Sequence, residues 1–233
     1  MSSAPQKQMQ TGPLTRANLK TPKAAAIAGM VFSVLLVVVF WLLRTSIPAA
    51  PQETGSWLQS SSGSVALALN LMPFAGIAFL WFIGVLRDRL GQQEDQFFAT
   101  VFLGSGLLFL AMLFTSAAII GAILIAFAMH PQELIGSATF HFARAAAYSM
   151  VNVYMIKMAS VFMFTMSTLA IYTGIVPRWL AVLGYGLSLL LLLGSYYFTY
   201  SFLVFPLWVF LISASILRDS VRRRSDPPAT VQS

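Results

Sequence analysis

The chain has 233 residues, 58% of them hydrophobic and only 9% charged, and 14 Lys and Arg against 7 Asp and Glu give a net charge of +7. A water-soluble domain carries nearer a quarter charged residues because its surface must be wet, so a soluble fold is excluded. Cysteine is absent, which removes disulfides, thiolate metal sites and thiol chemistry.

The apolar residues fall into blocks that reach or approach the roughly 20 residues needed to cross a bilayer core of about 30 Å. Six such blocks predict an all-α, polytopic membrane helix bundle with six transmembrane helices and both termini cytoplasmic. Residues 1–23 are polar and broken by Pro5, Gly12, Pro13 and Pro22, and they read as a disordered cytoplasmic tail. The six-helix domain is expected over 24–217, and a basic, disordered cytoplasmic tail over 218–233. The first block is longer than a signal-peptide core, and Ile47, Pro48, Ala49 and Ala50 make a poor cleavage site, so it reads as a retained span.

Span 1 (24–43) stops at Arg44, and its Ala25 and Gly29 lie four apart, spacing that lets a neighbouring helix come close. An outer loop follows, with Glu53 its only charge and Trp57 expected at the headgroup level. Span 2 (65–86) ends in Arg87, Asp88 and Arg89, and Pro73 predicts a kink in its outer half. Glu94 and Asp95 in the next loop complement the positive start of span 3.

Span 3 (97–129) would be roughly 50 Å long at 1.5 Å per residue, well beyond the hydrocarbon thickness. Span 4 (141–176) is as long, and only a short polar tip joins the two. The pair predicts a long central hairpin projecting from the outer face, because the excess part of span 4 carries Arg144, Tyr148 and Asn152 at i, i+4 and i+8. Pro177, Arg178 and Trp179 end span 4. Span 5 (180–193) is short, with Gly184 and Gly186 as close-contact positions and Tyr196, Tyr197 and Tyr200 at the outer interface beyond it. Span 6 (202–217) contains Pro206 and leads into the basic tail.

The charges orient the bundle. Four cations in the first tail, two after span 2, Arg178 and four between Arg218 and Arg224 place eleven of the 14 Lys and Arg on one side; Arg44 and Arg144 fall on the other. That asymmetry is the positive-inside signature. It also accounts for the net charge without nucleic acid, since the basic tails carry no interleaved aromatics.

Lys157 is the sharpest candidate site residue. It lies roughly 28 Å above the inner boundary, counted along span 4, where a lysine either snorkels to the headgroups or needs a partner. Ser116, Thr115 and Asn70 fall at similar depth, and Asn152 lies above it on the same span. Together with Tyr148 and Arg144 they define a polar patch near the outer leaflet, suited to an anionic lipid or a small anionic solute. His130, Glu133 and His141 gather at the hairpin tip, but Pro131 disrupts their helical spacing, so neither a metal site nor any other cofactor is expected. The methionines of span 4 read as packing. Ala118, Ala122 and Ala126 form a small-residue face for a neighbouring helix, within the chain or from a second copy or other membrane partner.

The hydropathy layout, with the Pro177, Arg178, Trp179 and Leu180 hinge joining two spans, resembles uncharacterised bacterial six-span integral membrane proteins. The resemblance implies a bacterial inner-membrane location and carries no activity with it. Hydrolase, nucleotide-binding and metalloprotease signatures are absent. The first expectation is thus a non-enzymatic accessory, sensing or lipid- or partner-binding component. The alternatives are a small carrier for an anionic or polar solute, using the polar patch, and a membrane-embedded enzyme.

Overall fold

The computed structural model describes residues 22–48, 55–90, 96–194 and 200–225, and every regular element among them is helical. The expectations for the first tail up to residue 21, for Glu53, Glu94, Asp95, Tyr196 and Tyr197, and for 226–233 lie outside the described residues.

The first helix, Pro22–Ser46 (α1), opens on its proline, because a residue without an N–H is tolerated in a first turn whose N–H groups have no helical partner. A single turn, Trp57–Ser60 (α2), precedes Ser62–Leu90 (α3), which continues through Pro73. Gln96–Met129 (α4) is 34 residues long. The tip holds a further turn, Pro131–Leu134 (α5), with proline again at the start. Gly136 then turns the chain at φ +75°. Ser137 Oγ accepts the Phe140 N–H at 3.1 Å and caps Ala138–Ser149 (α6), so this helix begins three residues before the expected 141.

The backbone widens to a π-helix over Met150–Met155, a feature the apolar pattern does not announce, and continues as Ile156–Thr173 (α7). Gly174, at φ +64°, ends α7 short of the expected 176; its N–H bonds the Ala170 carbonyl at 3.0 Å. Arg178–Gly194 (α8) and Ser201–Ser225 (α9) complete the chain. Residues 218–225, expected as part of an unstructured tail, are helical.

Five stretches are long and apolar enough to cross a membrane: Lys23–Ser46, Ser62–Arg87, Phe97–Met129, Ala138–Thr173 and Ser201–Arg222. They mark an integral membrane protein. The helix expected as a further span, α8, has 17 residues and falls short of that length.

Two halves make up the bundle. In one, α1 packs between α3 and α9; in the other, α7 packs between α4 and α8. Glycines bring helices into close contact within each half and, at Gly184, across to α9 of the other. A Cβ on Gly29 would overlap Ser213 Oγ and lie 2.8 Å from Phe82 Cδ2, and one on Gly184 would overlap Ser167 Oγ and lie 2.8 Å from Trp208 Cζ2. Gly186 meets nothing, and Ala118 and Ala122 face away from the chain's own core.

Phenylalanines join the halves. Phe79 of α3 lies 4.5 Å from Phe32 of α1, 5.3 Å from Phe109 of α4, 5.2 Å from Phe162 of α7 and 5.7 Å from Phe205 of α9, centroid to centroid. Most of these pairs are tilted or edge-on, the geometry in which ring quadrupoles attract. Met155, Met163 and Met166 fill the same core.

Beyond it, the excess of the α4–α6 hairpin builds a second, smaller core, in which Trp57, Leu58 and Val65 pack with Ile120, Ile123, Phe140 and Ala147. Trp57 is therefore 2% exposed: the long hairpin offers its ring an apolar wall.

Candidate functional site: a cleft between the two halves

At the end of the bundle where α1 finishes, the halves part around a cavity of about 150 Å³. One wall is Phe40, Leu43 and Ile47 of α1 with Leu69 and Met72 of α3. The opposite wall is Leu113, Ala117 and Ile120 of α4 with Val151 of the π segment. Polar groups border it at Arg44, Ser116, Arg144, Tyr148 and Asn152. Arg44, in the last turn of α1, sits over the Phe202 ring of α9 at 5.7 Å, within reach of a cation–π attraction. Arg144 of α6 donates from Nη2 to the Pro48 carbonyl, which ties the hairpin to the segment following α1.

The π segment shapes the polar side of this cleft. In a π turn the backbone N–H reaches five residues back, and Asn152 supplies a four-back bond with its side chain, Nδ2 to the Tyr148 carbonyl at 2.9 Å. Ser116 Oγ, buried, donates across to the Ala147 carbonyl at 3.1 Å in the last turn of α6. The Ser116 bond ties the hairpin's upper part to α4, and the Asn152 bond stays within its own helix.

The polar patch expected from the sequence is divided. Arg144, Tyr148, Asn152 and Ser116 meet in the cleft. Asn70 and Thr115 do not: each is exposed and bonds its own helix, Asn70 Nδ2 to the Ala66 carbonyl at 2.9 Å and Thr115 Oγ1 to the Ala111 carbonyl at 2.7 Å. Lys157 lies elsewhere. Its Nζ donates to the Leu192 carbonyl at 2.7 Å, and Leu192 is among the last four residues of α8, whose carbonyls lack helical partners. A lysine at a helix C-terminus also meets the negative end of the dipole. Lys157 is thus a cap lent to α8 by the neighbouring helix.

At the tip, His130, Glu133 and His141 are exposed, and no group of three His, Asp or Glu side chains able to hold a metal gathers among the described residues. No protein-family model matches this chain, and no curated protein or solved structure matches it either. Of the expected likeness, the structure supports the succession of apolar helices.

Two cleft residues escape the sequence reading, Arg44 and Phe202. Arg44 reads as an ordinary boundary residue because it directly ends an apolar block. A signal for it exists all the same: with Arg144 it is one of the two cations on the poorly charged side of the chain.

Proposed function

We propose that this protein is a non-enzymatic membrane component, accessory or sensing in role, that holds an amphipathic membrane ligand in the Arg44 cleft. One observation carries the reading: of 14 Lys and Arg, the two that the charge count places beyond the membrane on the sparsely basic side both border one apolar cavity. Cations on that side work against the orientation signal, and their convergence gives them a shared task. Apolar walls with a few convergent polar groups are the usual make-up of a small-molecule site. No carboxylate or histidine stands among the described lining residues, so acid–base chemistry has no support there. The carrier alternative has less support than binding, because the phenylalanine cluster fills the interior between the halves.

The ligand reading has a direct test. Protein purified from its native membrane in a neutral detergent is expected to show a bound amphiphile by native mass spectrometry. Ala117→Phe, which fills the cleft, should remove it; a wild-type chain that isolates free of any small molecule would sink the proposal.

The topology proposed with it has six spans and both ends in the cytoplasm, in a bacterial inner membrane as the family resemblance implies. In support, α8 with its 17 residues covers about 25 Å, near the shortest crossing helices of about 17 residues, and Lys157 satisfies the end of it. The absence of cysteine makes the test clean. On intact cells a membrane-impermeant maleimide should label Gln59→Cys, whereas Val221→Cys should react only after permeabilisation. Labelling of both from one face would overturn the arrangement.

A further inference from the structure

We infer that the cleft takes an amphiphile by an anionic head of the carboxylate class and the first carbons of one tail; this rests on the proposed binding role. The head is assigned by Arg44. Its Cζ lies over the Phe202 ring, 5.7 Å from the centroid, and a guanidinium carries five N–H donors. The ring contact holds the group at the cleft, and its fork of donors matches a carboxylate with two parallel hydrogen bonds. Arg144 is already engaged by the Pro48 carbonyl and contributes its positive charge to the same rim.

The tail is assigned by size and lining. A cavity of about 150 Å³ corresponds to roughly five water-sized groups at about 30 Å³ each. That admits the first carbons of one chain beside Leu69, Met72, Leu113 and Ala117, and the rest of the ligand lies outside it. A carboxylate leaving water for this apolar setting needs a cationic partner, which Arg44 supplies at the rim. A neutral head gains nothing from Arg44, and a cationic head is repelled by both arginines.

The experiment uses the full chain in phosphatidylcholine nanodiscs, with dodecanoate, dodecanol and dodecylammonium as probes that share a tail and differ in head. Bound fractions are read by native mass spectrometry against probe concentration. Dodecanoate is expected to form a one-to-one adduct about tenfold tighter than dodecanol, the weight of one charge-assisted hydrogen bond, and dodecylammonium to be weakest. Arg44→Gln should weaken dodecanoate by that factor and leave dodecanol unchanged, with Arg44→Lys intermediate; Ala117→Phe should abolish both adducts while the protein still elutes as folded on size exclusion. Equal binding of dodecanoate and dodecanol would overturn the head assignment and leave the binding role standing. Displacement of dodecanoate by phosphatidylglycerol in proportion to its mole fraction, lost in Arg44→Gln, would overturn the carboxylate head in favour of a lipid phosphate. Absence of any probe adduct from a folded wild-type chain would overturn the binding role together with the inference.

Discussion

Phe79→Ala is expected to lower the stability of the detergent-solubilised protein by about 3 to 5 kcal/mol, the usual cost of emptying a buried phenylalanine site. The reason is position. Phe79 is fully buried and touches rings from α1, α4, α7 and α9, so it belongs to both halves of the bundle at once. In lipid there is little hydrophobic drive to push helices together, and packing contacts carry the association. Losing this ring leaves a void where the halves join, and the partners on either side cannot all collapse into it. Thermal unfolding followed by circular dichroism gives the measure, with Phe202→Ala, at the partly open rim, as the comparison. If Phe79→Ala melted within a degree or two of the wild type, the phenylalanine cluster would not be what joins the halves.

Lys157→Met is expected to cost about 2 kcal/mol, within the range for losing a hydrogen bond to a charged group, and to loosen one place in particular. Without the ammonium the Leu192 carbonyl loses the side-chain donor it has among the described residues, and an unsatisfied carbonyl is expensive away from water. The last turn of α8 should then exchange amide hydrogens faster while α7 stays protected. Lys157→Arg keeps the charge and donors and should restore most of the effect. Occupancy of the Arg44 cleft should not change, because Lys157 does not border it. Unaltered exchange at 189–194 would show that the lysine snorkels to headgroups instead.

The sequence exposes the order of the five membrane-length apolar helices, since block length and composition are a direct consequence of living in lipid. It exposes the excess length of α4 and the hinge at Pro177 for the same reason. The Gly29 contact could be read from small-residue spacing, and the Ser137 cap from a serine just ahead of the apolar run. The site is harder. Depth along a span can be counted, and the count places Asn70, Thr115, Ser116 and Lys157 at one level. Which way each points around the helix depends on neighbours that are distant in the chain. Ser116 turned inward to the Ala147 carbonyl, whereas Thr115, its immediate neighbour, turned out and bonded its own helix. Lys157 needed a partner, as its cost in lipid required, but that partner was a backbone carbonyl, which no residue identity reveals. Arg44 was overlooked because a charge at the end of a span has a ready explanation in the headgroups.

The widened stretch at Met150–Met155 has one more consequence. A helix advances about 100° per residue, so carrying one extra residue in a turn sets everything below it out of phase with everything above. The span thereby addresses two clients: its upper length directs Arg144 and Tyr148 at the gap between the halves, and its lower length directs Lys157 at α8. The angular offset between those two duties is written in backbone spacing, so a chain could conserve it while changing nearly every side chain in the stretch.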